Sequence, residues 1–444
     1  MDSLAVEGTV FEHAIATCPA TGPSVASIIT GVHRAAHGVM RNGVRLRSEV
    51  TTLAEVLREH GFRTAAVLAN PVVSGKGFEQ GFDAFDMAPD LKRGGPAMFE
   101  GSAVVKQARR LLDDVGEKRF FLWVHFMDPH GPYFPPARYR ARFPTTSYLR
   151  PGEKRLPLSA SNYGYGIIPK YQRLRRLDHP AGYRARYDAE IRYTDDLVRG
   201  LVRLLERRGL WRRTIFVLTA DHGESLGDHG VYFQHGWHAY DGTLRVPLLI
   251  RAPGLVPAGG RVDASVSLVD VAPTILDLLG ILSPPGIEGR SLRPLMAGTG
   301  TDRSAFAQTY YGNRLIVLQR GPWKYILTPG PPVRRRSLPG FPSVKYGPQD
   351  PRGGDGWKQH WPTQRREELY HLPIDPGETH NLARERPAVT RRFRRKLRRW
   401  LKGQEIRARR RIARDGAEAA AKRTLWETPS RTTTQQLRAL GYLD

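Results

Sequence analysis

Asp221 and His222 follow directly on Thr214–Ala220, seven consecutive apolar or β-branched residues in the stretch TIFVLTADHGES. An unbroken run of this kind predicts a central strand of a parallel sheet, covered on both faces. Ligands bind at the carboxyl ends of strands in open α/β sheets, so an Asp-His pair leaving such a strand stands where chemistry is done. A carboxylate beside an imidazole is an ordinary ligand pair for a divalent metal. Taken alone, the pair is equally explained by Asp221 capping a helix and His222 packing beneath it. His130, in MDPHGPY, comes just after a second apolar run, Phe120–Phe126; the prolines end that strand and put His130 on a loop at the same face. His125, inside the run, reads as a satisfied core histidine. His235, His238, Tyr240 and Asp241 follow Asp221 within one connection. Pro23 and Gly31 bracket a short helix with Thr21 at its N-terminus, where free amides and the helix dipole would hold a sulfate or phosphate against the hydroxyl. By spacing alone Thr21 is an N-cap before it is a nucleophile.

The elements that must position these groups alternate. Asp2–Glu7 reads as the tail of a helix, Thr9–Ile15 as a strand, Thr51–His60 as a helix, Arg63–Ala69 as a strand and Val104–Asp114 as a helix. This rhythm implies a mostly parallel central sheet with helices on both faces. Residues 134–183 lack periodicity and form either a lid or a loosely held insertion. A strong helix, Tyr187–Arg207, feeds the opening strand, with Asp195 and Asp196 solvated or locally paired. Leu244–Ile250 is a further strand, Pro253–Gly260 a loop and Val266–Leu279 a helix. Beyond about Gly298, short β-like pieces (305–310, 315–319, 324–327) separated by Pro/Gly/Arg-rich connections predict a smaller α+β subdomain on an antiparallel sheet. Pro329–Trp361 is the longest of these connections, and Gly416–Thr434 reads as a polar linker.

The chain has 444 residues and 40% hydrophobic content, enough for one large and one smaller domain. Its one cysteine, Cys18, excludes an intrachain disulfide. There is no run of eighteen apolar residues and no basic-then-apolar leader, so the sequence as given reads as soluble, with no membrane span or signal peptide. Lys and Arg total 69 against 43 Asp and Glu, a net charge of +26 that favours anionic partners. Twelve basic residues lie between Arg391 and Arg411, yet Val389, Phe393, Leu397, Trp400 and Leu401 recur at helical spacing. The expectation is a docked amphipathic helix with a solvated basic face. No motif raises specific nucleic-acid binding.

Together the stretches resemble the sulfatase branch of the alkaline-phosphatase superfamily over nearly the whole chain. The blocks, in the family's order, are PSVASIITG with HRAAHGV, FLWVHFMDPHGPY, YDAEIRYTDD, TADHGESLGDHG with LRVPLLIRAPG, SLVDVAPTILDLLGI with GIEGRSLRPL, WKYI, ELYHLPIDPGETHNLA and the terminal LRALGYLD. The resemblance implies a sulfatase-like domain over 1–298, a C-terminal subdomain with the basic helix over 299–415 and a polar tail over 416–444. Known sulfatases use a formylglycine made from the first residue of a C/S-x-P-x-R core, nine residues before the threonine of a TG pair. Nine residues before Thr30 is Thr21; Pro23 fills the proline position, and Val25 stands where arginine belongs. Cys18 matches neither requirement, so no formylglycine is expected.

A threonine at that position is similar to relatives that hydrolyse or transfer phosphate esters through a threonine hydroxyl on a metal. By this resemblance Asp221, His222 and Thr21 are metal ligands, Thr21 is also the nucleophile, and His130 and His235 hold substrate oxygens or protonate the leaving group. His238 joins them as a substrate-binding candidate. Calcium is implied by the sulfatases, manganese, magnesium or zinc by the phosphate-handling relatives. Two departures stand out. Gly236 lies near the point where the family often has a lysine, and the family's opening strand with its acidic metal-binding pair is missing, so the expected start lies upstream or the copy is degraded. The expected activity is hydrolysis of sulfate esters, or of phosphate esters through Thr21, on saccharides or small molecules. The alternative is an inactive relative that binds anionic saccharides or polymers.

Overall fold

Strand runs broken by glycine-terminated helices fold, among the described residues, into three larger sheets and one two-stranded pair. The computed structural model describes residues 1–88, 101–116, 118–159, 162, 164–309, 315–329 and 366–419. Strands β1 (Thr9–Ile15), β5 (Phe216–Thr219), β9 (Leu248–Arg251) and β10 (Gly260–Ser267) build the first sheet in the order β10-β1-β9-β5, with β8 (Arg245–Val246) also pairing to β1. The second, β3-β2-β4, is wholly parallel and joins β2 (Arg63–Leu68), β3 (Ala84–Met87) and β4 (Phe120–His125). A short pair, β6 (Ser225–Leu226) and β7 (Tyr232–Gln234), hangs from the first sheet. The third sheet is antiparallel, β11 (Ala305–Gln308), β12 (Ile316–Arg320), β13 (Trp323–Thr328) and β14 (Arg366–His371) in chain order.

Helix α1 (Asp2–Glu7) precedes β1, and α2 (Thr21–Thr30) follows it. Gly31 closes α2 in the left-handed region at φ 66°, and a Cβ there would lie 2.5 Å from Ile287; both facts require glycine. Helix α3 (Leu53–Glu59) opens with a capping box between Thr52 and Glu55. Helices α4 (Gly101–Val115) and α5 (Pro180–Arg207) pack beside the β2 and β4 layer, α6 (Val271–Leu278) follows β10, and α7 (Pro387–Ala419) ends the described chain. Among the described residues no helix is long and apolar enough to cross a membrane.

Several sequence expectations need correction. The Asp221 strand is packed on both faces, Val217 against one core cluster and Phe216 and Leu218 against another, but it is not central: among the described residues β5 ends the pairing path of its sheet and bonds antiparallel to β9. Its connection to β9 contains the β6–β7 pair, two short helical turns (Asp228–Gly230 and Asp241–Leu244) and β8 rather than a long crossover helix, and the chain returns alongside in the opposite direction. β9 is the reversed strand; β1 and β10 are parallel. Strand β10 fills the stretch left unassigned between the expected loop ending at Gly260 and the expected helix beginning at Val266, and it takes that helix's first two residues. Its alternation of exposed Arg261 and Asp263 with buried Val262 is a period-two signal too short to stand out. Pro247 divides the 244–250 run into two strands. Helix α7 runs through Gly416 to Ala419, past the start of the expected linker. The remainder of that linker and tail, residues 330–361 of the long connection and the LRALGYLD block lie outside the described residues.

The described residues of 134–183 are not loosely held. Tyr133, Ile168, Tyr183 and Phe233 are fully buried in one cluster that fastens this segment to the β6–β7 connection. Asp195 and Asp196 are locally paired, with Arg192, Arg199, Tyr139 and the N-terminal amine. The basic helix docks as its pattern requires: Phe393 and Leu397 are buried against Leu318, Tyr325 and Leu369 of the third sheet, and the Phe306 and Trp400 rings stack at 4.6 Å.

A buried charge cluster ties the third sheet to the loop after Asp221. Lys324 on β13 is fully buried, its Nζ 2.7 Å from Asp241 Oδ1 and 2.8 Å from Glu378 Oε1. The Asp241 amide donates to Glu378 Oε2 at 2.6 Å. Burial pulls the Lys324 ammonium down, but the two carboxylates outweigh it and hold its pKa above the usual lysine value. Removing one member of such a group strands the others, whereas neutralising all of them does not. Lys324→Met is therefore expected to cost about 3–5 kcal/mol in urea unfolding. The triple change Lys324→Met, Asp241→Asn, Glu378→Gln should recover more than half of that loss, and a triple variant as unstable as the single one would contradict the assignment.

Candidate active site

The end of β5 and the first turn of α2 meet. Thr21 is the first residue of α2, behind an extended Ala20 whose own side chain makes no capping hydrogen bond. The N-cap reading of Thr21 therefore fails. Its Oγ1 lies 3.4 Å from His222 Nε2 and hydrogen-bonds to Asp221. Ser24 Oγ fixes the turn from the other side by donating to the Asp221 carbonyl at 2.6 Å.

The tautomer of His222 follows from its surroundings. Its Nδ1 is 2.9 Å from the Gly223 carbonyl, which can only accept, so Nδ1 carries a proton, and in the neutral ring it is Nε2 that presents a lone pair. Asp221 Oδ2 lies 3.5 Å from that Nε2 and, although buried, has no hydrogen-bond donor among the described residues. Burial raises the Asp221 pKa, but His222, His125 and Thr21 outweigh it, so the carboxylate is held ionised below its usual range.

The same logic orients two more imidazoles. His130 Nδ1 donates to the Gly131 carbonyl at 2.6 Å, and His235 Nδ1 faces Glu224 Oε1 at 3.3 Å. The ring centroids of His222 and His235 are 4.2 Å apart, and those of His235 and His130 are 5.1 Å apart. Burial, then the neighbouring His235, pulls the His130 pKa down to about 3; burial and His222 push His235 well below the ordinary imidazole value. The structure thus brings Thr21, Asp221, His222, His130 and His235 together. His238 belongs to an adjoining stack, its ring nearly parallel to Tyr240 at 6.0 Å, with burial and His229 lowering its pKa to about 4.

Three contributors escaped the sequence reading. His125 is no satisfied core histidine: its Nδ1 is buried with no partner among the described residues, and it acts electrostatically on Asp221 and His222. Its place at the last position of β4 was the available signal. Glu224 is buried beside His235, and that burial raises its pKa to about 7. Asn42 accepts the Gly22 amide at 2.8 Å, so a side chain twenty residues away caps the turn that carries Thr21. Cys18 is buried and its thiol is pushed up to about 11 by that burial, with the Arg34 guanidinium 3.9 Å from Sγ.

As a metal site the donors fit in kind. A buried carboxylate oxygen without a donor, an imidazole lone pair and a hydroxyl oxygen converge, which suits a divalent cation. They are few in number. Among the described residues there is no group of three or more His, Cys, Asp or Glu side chains that could hold an ion. A calcium ion takes six to eight oxygens, whereas a smaller cation keeps waters and substrate oxygens in its shell and needs fewer protein ligands.

A family model for sulfatases matches residues 1–281. An ulvan-active sulfatase of Formosa agariphila is 28% identical over 324 residues, covering 67% of this chain and 59% of that protein, so the chain spans less than two thirds of that relative's length. A choline-sulfatase of Rhizobium meliloti is 25% identical, covering 73% of this chain and 72% of the relative. Among solved structures, one in complex with its substrate D-glucosamine-2-N,6-O-disulfate has a TM-score of 0.69 at 20% identity, with 92% of each chain covered. A phosphonate monoester hydrolase of Agrobacterium radiobacter has a TM-score of 0.68 at 21% identity, with 91% of this chain and 90% of that one covered. The two structures speak to the fold.

A carboxyl whose pKa is raised by folding contributes stability that is complete below its unfolded value, 4.5 for Glu224, and is lost as the pH passes about 7. Glu224→Gln in the metal-free chain is therefore expected to flatten the fall in stability between those values by about 1–3 kcal/mol. Urea midpoints at pH 5 and pH 8 measure it, and parallel pH slopes in the two proteins would contradict the buried, protonated assignment.

Proposed function

The chain belongs to the sulfatase family, and from that premise we propose that it is a metal-dependent ester hydrolase acting on sulfate esters, with Thr21 able to serve phosphate esters at the same site. The observation that carries this reading is the convergence of Thr21 Oγ1 and Asp221 Oδ2 on His222 Nε2, at 3.4 and 3.5 Å. Thr21, Asp221 and His222 would hold the cation. A divalent ion held there would lower the pKa of the Thr21 hydroxyl and offset charge on the ester. Thr21 Oγ1, whose hydrogen bond Asp221 accepts beforehand, would then attack the ester sulfur or phosphorus as the bond to the leaving oxygen breaks, its proton passing to a neighbouring imidazole, and water would afterwards cleave the Thr21 ester to release the anion and restore the hydroxyl. His130 and His235 face the site with Nε2, each anchored through Nδ1. Bound beside an anionic ester they take up a proton, hold an ester oxygen and return the proton to the leaving group. Manganese, magnesium or zinc suits three protein donors better than calcium does. Thr21, rather than a formylglycine at Cys18, takes the nucleophile's part, since Cys18 is buried and its thiol is held protonated.

The small donor set favours one second reading, a non-catalytic relative that binds anionic saccharides. A panel of aryl sulfate, phosphate monoester and phosphate diester, assayed with each metal, separates the two. The first reading predicts turnover of at least one ester, reduced about 10³-fold or more by Thr21→Ala and largely kept by Thr21→Ser. Turnover unaffected by Thr21→Ala would overturn Thr21 as nucleophile, and binding of sulfated sugars with no turnover of any ester would favour the second reading.

A further inference from the structure

Helix α7 is docked on one side and, among the described residues, bare on the other. Its apolar stripe, Phe393 and Leu397 with Val389, Trp400 and Leu401, is committed to the third sheet. Three of its basic residues are neutralised, Arg394 by Glu367, Arg407 by Glu288 and Arg409 by Glu405. Six others are not: Arg391, Arg392, Arg395, Arg398, Arg399 and Lys402 are exposed, with no acidic partner among the described residues. Their spacing, i, i+1, i+4, i+7, i+8 and i+11, puts all six on one face, along about 16 Å of helix. Half-buried Lys396 feels their field, its pKa lowered by burial and then by Arg320, Arg392 and Arg399.

A row of like charges that repel one another gains nothing for the fold; its free energy is recovered only when a polyanion lies along it. Between Arg391 and Lys402 both aromatic residues, Phe393 and Trp400, are turned into the protein, so the face offers no ring to stack on bases and no apolar anchor for a bilayer. We propose that this face is a docking surface for a sulfated polysaccharide chain, engaged outside the ester site so that the polymer is held while its esters reach Thr21. The choice of a sulfated polymer rests on the ester-hydrolase reading; the existence of a polyanion surface does not.

The test uses the full chain and a fluorescently labelled heparin fragment, with a duplex DNA of similar length as competitor. Combined substitution of the six residues by Gln keeps helix propensity, and a variant with the five arginines changed to Lys keeps the charge. The expected result is binding that weakens steeply between about 50 and about 200 mM salt. The Gln variant should lose about tenfold or more in affinity along with most of the salt slope, the Lys variant should match the parent, and turnover of small aryl esters should be unchanged in both. Heparin affinity equal to the parent's in a folded Gln variant would overturn the surface assignment, and DNA displacing heparin at much lower concentration would overturn the choice of polymer. Thr21→Ala keeps heparin affinity on this account. Absence of all turnover with α7-dependent heparin binding intact would sink the ester-hydrolase reading while leaving the polyanion surface standing.

Discussion

A carboxylate oxygen and an imidazole nitrogen that present lone pairs to each other inside a protein need a positive charge between them. With the ring neutral, Asp221 Oδ2 and His222 Nε2 do so at 3.5 Å, because the Gly223 carbonyl keeps the proton on Nδ1. Thr21 Oγ1 joins them as a third oxygen-or-nitrogen donor at 3.4 Å from the same nitrogen. Burial raises the cost of leaving the charge uncompensated and so raises the affinity for whatever cation enters. The remaining architecture can be understood as the means of holding these three atoms still.

They come from two elements that meet. Strand β5 delivers Asp221 and His222, α2 delivers Thr21 on its first turn with Asn42 fixing the next amide, and β4 ends in His125 alongside. The imidazoles of His235 and His130 stand over the trio, supported by Glu224 and by the Tyr133, Tyr183 and Phe233 cluster. The third sheet reaches the same loop through Lys324, Asp241 and Glu378, and Tyr240 donates to Glu368 on β14. The antiparallel sheet is thus mechanically part of the site.

Strong local signals made the frame legible. Apolar runs and glycine stops placed β1, β2, β4 and α2 to within a residue or two, and the Asp221-His222 pair was visible because it ends such a run. What escaped depended on partners distant in sequence. Nothing local reveals that Asn42 caps Gly22, that Glu224 lies beside His235, or that His125 leaves its Nδ1 without a partner beside Asp221. The place of β5 at the end of its pairing path was hidden too, since an apolar run reports burial on its faces and says nothing of which edge is hydrogen-bonded. The capping role expected of Thr21 was a fair local inference that tertiary contact with His222 overrode.

The account turns on the cation, and calorimetric titration of the chain with manganese, beside its Asp221→Ala variant, tests it most directly. One ion bound per chain, with binding lost in the variant and competed by zinc or magnesium, is the predicted outcome. No binding by the parent chain, or equal binding by the Asp221→Ala variant, would contradict it and leave the facing lone pairs to be explained by a proton alone.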